Sequence, residues 1–288
     1  VHNAMTTGLP GSRRVRSLAV LGDSVAAGMG DPVPGGRWRG FAPLLADAVE
    51  AARFTNLATS GARVAEVRHT QLPDALRVEP DAAIVMIGMN DTMRSDFNAE
   101  LLWQQLNHVM CSLVAAGAAV VTIRYHDHAR VFRLPAPLRR LLNRRIDALN
   151  RILTSVAEAH GAAIVDLDRL PGAYHPAAWS VDRLHPSELG HRMLAAAFAT
   201  GLAEQGLTVP SEVSLTCSGG VPVTRLDHVR WLLIKGVPWV ASRTRDLTRY
   251  SLASLLRALL RRTPRTEAAG APAHICPPSD PPRAWPAG

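Results

Sequence analysis

The chain has 288 residues, 47% of them apolar, 5% aromatic and 19% charged, with a formal net charge of +8 to which lysine contributes a single residue, Lys235. That content can bury a sizeable core in one or two domains, and no run approaches the roughly 18 to 20 apolar residues that span a bilayer. The three cysteines, Cys111, Cys217 and Cys276, are too scattered for a disulfide framework and fit no zinc spacing, and arginine richness without a recognition motif or stacking aromatics argues against nucleic-acid binding.

The residues before Val15 are polar and rich in turn formers, and they lack the charged, apolar and small-residue order of a secretory leader; the expectation is a cytoplasmic address. A buried strand then runs from Leu18 to Gly22 and stops on Asp23-Ser24 in a glycine-flanked turn. Gly30 to Gly36 reads as a loop, and Phe41 to Ala52 as a helix with Leu44, Leu45, Ala48 and Val49 on one face. Arg53 to Leu57 is a short strand, and Val64 to Leu76 a weaker helix interrupted at Pro73.

Ala82 to Ile87 is apolar throughout, as in a central parallel strand covered on both faces, and it delivers Gly88-Met89-Asn90-Asp91 at its carboxyl end. A helix with Leu101, Leu102, Leu106, Val109, Met110 and Leu113 on its apolar face leads to Gly117 and a fourth strand, Ala118 to Ile123. Tyr125 to Pro137 reads as a long loop, within which His126-Asp127-His128 is expected to be solvated. Two histidines one residue apart diverge in an extended chain, with no third metal ligand evident. Leu138 to His160 is an amphipathic helix whose Arg139, Arg140, Arg144, Arg145 and Arg151 are expected to face water. Ala162 to Val165 is a fifth strand, and Ser187 to Glu204 a final helix after the Asp182 to His185 stretch.

Strands alternating with helices define an α/β fold, because parallel neighbours need crossover connections. The expected architecture is a three-layer α/β/α sandwich with a central, mainly parallel five-stranded sheet, its ligand crevice beyond the carboxyl ends of the strands. The chain divides into a tail (1–14), a catalytic unit (15–205), a linker with a basic helical appendage (206–262) and a Pro/Ala/Gly-rich tail read as disordered (263–288). The appendage with Trp231 and Trp239 is expected to pack on the catalytic unit; contact of 229–262 with a membrane surface is the less favoured reading.

Acyl transfer needs a nucleophile, a neutral base, a group that orients the base, and donors for the oxyanion. Ser24 supplies the hydroxyl and its own amide. Asp182 and His185, three residues apart, share one side of a helical turn, so the carboxylate can hold one imidazole nitrogen while the other faces Ser24. The Gly61 amide and the Asn90 side chain would complete the oxyanion hole. Taken singly, each signal has an ordinary reading: a turn after a strand, a cap or surface pair, a turn glycine, a capping asparagine.

In their order and strand context, Gly22-Asp23-Ser24, Asn56 to Gly61, Gly88 to Asp91 and Asp182 to His185 resemble the four signature blocks of the SGNH hydrolases, the GDSL lipase/esterase superfamily, over about the first two hundred residues. The resemblance implies a flavodoxin-like sandwich and cleavage of a small-molecule carboxylic ester or thioester through an acyl-Ser24 intermediate. It assigns His185 as base, Asp182 as its orienter, and Ser24, Gly61 and Asn90 as oxyanion donors, with no cofactor and no metal. Asp23 matches the first block's aspartate, with a structural role. Val25 stands where the family name has leucine, and Met89 where relatives often carry a small residue. The same blocks serve acyltransferases that pass the acyl group to an alcohol or sugar hydroxyl, and a non-catalytic binding protein on this fold is the reading from a different class. The loops at Asp31 to Arg39 and Tyr125 to Pro137 are expected to set the substrate.

Overall fold

A computed structural model describes residues 13–131 and 136–221; most of the N-terminal tail, the Trp231 to Trp239 segment and the C-terminal tail lie outside the described residues. The first strand, β1 (Ser17–Gly22), is buried at every position. The Gly30 to Gly36 stretch is not purely loop: β2 (Pro32–Val33) and β3 (Arg37–Trp38) pair antiparallel in a small hairpin. Helix α1 (Phe41–Ala48) ends four residues earlier than expected and leads to β4 (Arg53–Asn56), which pairs parallel with β1.

The helical stretch from Val64 continues through Pro73 rather than breaking there. It is built from α2 (Val64–Glu66), a π turn (Val67–Gln71) and α3 (Leu72–Arg77), with Pro73 in the first turn of α3. Proline cannot fill an ordinary i to i−4 hydrogen bond. The widened turn just before it takes up that mismatch.

Strand β5 (Ala82–Met86), buried throughout, runs into α4 (Met89–Thr92). Helix α5 (Ala99–Ala115) starts on the cap residue Asn98, whose side chain accepts from the Leu101 amide at 3.1 Å. Then come β6 (Ala119–Arg124), a short α6 (His128–Val131) inside the expected loop, the long α7 (Ala136–His160), β7 (Ala163–Asp166) and α8 (Glu188–Glu204). Ser187 caps α8 by accepting from the Gly190 amide at 3.3 Å.

The five long strands pair parallel in the order β4-β1-β5-β6-β7. In sequence order of those strands this is 2-1-3-4-5, the doubly wound arrangement in which connections leave in opposite directions on either side of β1. Helices α1 and α8 pack together on one face, while α5 packs against α7 and α3 on the other, giving three layers and one continuous core. Within that core the rings of Phe41 and Phe198, both fully buried, meet at 4.8 Å between α1 and α8.

The arginine face of α7 is not uniformly wet. Arg139, Arg140, Arg144 and Arg151 are exposed, but Arg145 is buried and its Nη1 donates to the carbonyls of Thr92 and Arg94 at 2.9 and 2.7 Å. Its flat guanidinium, which also lies over Phe97, satisfies carbonyls that the short α4 leaves unpaired.

Beyond α8 the chain stays against the core. Leu207 is buried, the Ser211 amide donates to Ala48 and the Val221 amide to Pro32. No helix among the described residues is long and apolar enough to cross a membrane.

Because Phe198 joins two helices through a fully buried ring, Phe198→Ala is expected to cost about 3 to 5 kcal/mol of stability, read as a lowered urea midpoint with an unchanged slope.

Candidate active site

Ser24 sits in the turn that ends β1, tightened by the Ala27 and Met29 amides donating to the carbonyls of Asp23 and Ser24, both at 2.9 Å. The two peptide groups that flank Gly22, at the end of β1, are clamped by one side chain 49 positions away: the Gly22 amide donates to Gln71 Oε1 at 2.8 Å, and Gln71 Nε2 donates to the Gly22 carbonyl at 2.9 Å. Gln71 is 2% exposed and no sequence motif marks it.

The serine hydroxyl lies 2.8 Å from His185 Nε2, and His185 Nδ1 lies 2.5 Å from Asp182 Oδ2. The other carboxylate oxygen, Oδ1, accepts from the Ser180 hydroxyl and from the amides of Leu184 and His185 at 2.8, 2.8 and 2.9 Å. Asp182 and His185 are therefore aligned by a loop that the carboxylate itself folds, not by the helical turn that their spacing suggested. Arg183 between them takes a left-handed φ of 57°, a conformation that a side-chain-bearing residue adopts only when its surroundings enforce it. Burial alone would raise the Asp182 carboxyl, but the bonds from His185 and the loop amides hold it below the usual carboxylate range.

Gly61 and Asn90 line the same cavity as Ser24. The amides of Ser24 and Gly61 have no acceptor among the described residues. Gly61 bears no side chain and has a φ of 83°, so its N–H can lie open at the cavity wall. Asn90 Nδ2 donates one hydrogen to the Ala62 carbonyl at 3.0 Å, which fixes the amide plane and leaves its second hydrogen to the cavity. Asp91, next in the chain, accepts from Arg63 Nε at 3.1 Å and from the Val64 amide at 3.2 Å, tying the Gly61 turn to the Asn90 helix. Asp23 is buried, accepts from the Val25 amide at 3.1 Å, and is pushed up to about 6 chiefly by loss of solvent.

Two contacts bring the serine and histidine loops together. His191 Nε2–H, on the first turn of α8, donates to the Met29 carbonyl at 3.0 Å. Gly30, with a φ of 104°, lies so close to the other loop that a Cβ would sit 2.1 Å from the Pro186 carbonyl oxygen and 3.0 Å from His185 Cβ.

His126 and His128 correct the expectation of a solvated loop. Both are buried, their rings stack at 4.0 Å, and the ring of Trp179 lies 4.8 Å from His126. The chain turns at His128 into α6, so the two side chains converge where an extended chain would have parted them. Burial drives both toward the neutral form, His126 well below the usual imidazole range and His128 to about 4. They line the cavity, as does Tyr125, whereas the Asp31 to Arg39 hairpin does not. In that hairpin Asp31, fully buried, accepts from Arg39 Nε at 2.8 Å, and Arg39 Nη2 pairs with Glu188 at 2.8 Å. No cluster of three or more His, Cys, Asp or Glu among the described residues could hold a metal ion.

A serine-imidazole-carboxylate chain with open amides, set at the carboxyl edge of a doubly wound parallel sheet, defines the class: a serine ester hydrolase on a three-layer α/β/α scaffold. Residues 20–193 match the GDSL-like Lipase/Acylhydrolase family, and the chain belongs to that family. It is 26% identical over 156 residues to an acetylxylan esterase of Geobacillus stearothermophilus, covering 51% of this chain and 70% of that protein. It is 32% identical over 191 residues to the GDSL-like esterase Rv1075c of Mycobacterium tuberculosis, covering 62% of this chain and 59% of that one. Among solved structures, LAE5, an alpha/beta hydrolase enzyme from the metagenome of Lake Arreo, Spain, superposes with a TM-score of 0.53 at 23% identity, covering 65% of this chain and 95% of that one. The last likeness is one of fold.

Gly30→Ala is expected to reduce kcat at least tenfold, because the added methyl must part the two loops that hold Ser24 and His185; steady-state kinetics read this directly. Acid should weaken the fold. His128 and His191 are each held near 4 by burial against about 6.5 when unfolded. The unfolded chain therefore binds more protons below pH 6.5, and stability is lost as pH falls toward 4. Between pH 7.5 and 5 each contributes a loss of about 2 kcal/mol, against about 1 kcal/mol gained at Asp23, whose shift has the opposite sign. Urea midpoints at the two pH values are expected to fall accordingly.

Proposed function

We propose that the protein hydrolyses a small-molecule carboxylic ester through an acyl-Ser24 intermediate. The observation that carries this reading is the unbroken chain from Ser24 Oγ through His185 to Asp182, with links of 2.8 and 2.5 Å, at the wall of a partly open cavity. Ser24 Oγ attacks the acyl carbon while His185 Nε2 takes its proton. Asp182, ionised at neutral pH, holds the Nδ1–H tautomer and stabilises the imidazolium. The negative charge that develops on the carbonyl oxygen is met by the Ser24 and Gly61 amides and the free hydrogen of Asn90. His185 then returns the proton to the departing alkoxide oxygen, releasing the alcohol. A water attacks the acyl-enzyme, His185 takes a proton from it, and the acid leaves as Ser24 regains its hydrogen.

The family and the two named esterases support ester cleavage as the chemistry; the donors already present at Ser24, Gly61 and Asn90 support an oxyanion intermediate without a metal or other cofactor. Acyl transfer to an alcohol would use the same acyl-enzyme. Product analysis in water and with alcohol acceptors separates the two outcomes.

Ser24→Ala is expected to abolish hydrolysis of p-nitrophenyl esters and labelling by a fluorophosphonate. Asp182→Asn should lower kcat by roughly 10³ to 10⁴, since the imidazole loses its tautomer and its counter-charge, while Asn90→Ala should cost about 10² to 10³ in kcat. Phosphonate labelling that survives in Ser24→Ala would remove the basis for this reading.

A further inference from the structure

The cavity beside Ser24 has a volume of about 480 Å³. That is within the range of sites that enclose a whole small ligand, and many times the space of an acetyl group, itself comparable to roughly two or three waters at ~30 Å³ each. Its floor and walls come from the carboxyl ends of four strands and the layers above them: Ser24 after β1, Met86 at the end of β5, Tyr125 and His126 after β6, Leu167 after β7. Leu142 of α7 and Met193 of α8 also line it.

The lining is unusual in one respect. Of the seven methionines in the chain, five, Met29, Met86, Met89, Met93 and Met193, border this cavity. Thioether side chains are unbranched and adapt their shape to what they contact, so a methionine wall moulds itself to an apolar occupant rather than selecting one rigid outline.

Apart from Asp23 beside Ser24, the wall beyond the triad carries little fixed charge. His126 and His128, which in a solvated loop would titrate near neutrality, are held neutral by burial. The Trp179 indole N–H is satisfied by the Ala173 carbonyl at 2.8 Å. Arg183 lies among the lining residues, but it is exposed and belongs to the histidine loop beside the triad. Two polar atoms of lining residues, Tyr125 Oη and His126 Nε2, are buried without a hydrogen-bond partner among the described residues; they could receive a single polar group, but a carboxylate-bearing or polyhydroxylated acyl group would lose its hydration in this space for few partners in return.

We infer that the cavity holds the acyl part of the ester, and that the protein acts on apolar, medium-length acyl chains in preference to acetyl. This rests on the proposed acyl-Ser24 mechanism and adds the substrate class to it. The carbonyl is attacked where Ser24 borders the space, and the chain lies against the apolar lining that includes Met86, Met89, Leu170, Trp179 and Met193. Each added methylene is drawn out of water into contact with adaptable apolar side chains. The alcohol portion remains on the solvent side of the triad.

The test is a series of p-nitrophenyl esters, acetate, butyrate, hexanoate, octanoate and dodecanoate, assayed with the full-length protein below the micellar concentration of each. In parallel, labelling by a small fluorophosphonate counts intact Ser24 sites. The inference expects kcat/KM to rise by up to roughly fourfold per added methylene over the short members, and then to fall once the cavity is full. Leu170→Trp and Met193→Trp, which add bulk to the apolar lining, should each lower the octanoate-to-acetate ratio of kcat/KM at least tenfold, a ratio that partial loss of folded protein does not alter. A flat or acetate-preferring profile with Ser24 fully labelled would overturn the inference and leave the ester hydrolase standing, as would a ratio unmoved in both variants. If neither hydrolysis nor labelling occurs, the mechanism falls and the acyl assignment with it.

Discussion

The site depends on how closely two loops approach, one following β1 and the other preceding α8. Gly30 lies against the Pro186 carbonyl with no room for a side chain, and His191 reaches across to the Met29 carbonyl at 3.0 Å. These contacts set the relative position of Ser24 and His185, which are 161 residues apart in the chain. A hydrogen bond of 2.8 Å tolerates a few tenths of an ångström of error. Backbone packed on backbone supplies that precision better than flexible side chains can.

Around this seam the protein places groups that have no chemistry of their own. Gln71 clamps the peptide groups at the end of β1, Asp91 ties the Gly61 turn to α4, and Arg145 closes the end of α4 with two hydrogen bonds. A second brace runs through charges. Arg39 joins Asp31 to Glu188, and Glu188 is bound in turn by Arg192 and by the Ser218 amide. Because Glu188 stands at the start of α8, three residues after His185, this brace fastens the hairpin behind the serine loop to the helix that follows His185. The segment through Val221 is fastened at the same point, so chain beyond α8 contributes to the rigidity of the site.

The surroundings of the titratable groups separate two roles. Asp182 is half-buried but receives four hydrogen bonds, so its charge is retained. His126, His128 and His191 are buried with fewer compensating partners and are kept neutral. The same loss of solvent thus leaves an ion where donors converge on a carboxylate and a neutral imidazole where desolvation outweighs the acceptors around the ring. That difference lets the cluster of Ser24, His185 and Asp182 border a largely apolar cavity.

Much of this was legible in the sequence. The continuous apolar runs at Leu18 to Leu21 and Ala82 to Ile87 identify buried parallel strands, and their ends carry residue types suited to acyl transfer, because strand burial and turn chemistry are written locally. The parallel sandwich follows from strand and helix alternation. Tertiary structure alone decided the partners. Gln71 meets Gly22 across 49 residues and His191 meets Met29 across 162, and no local pattern encodes either. Arg145 and the paired histidines read as solvated because their residue types usually are; packing of α7 against α4, and the turn into α6, buried them instead. Sequence sets what each side chain can do, while burial and pairing arise from contacts between distant segments and exist only once the chain has folded.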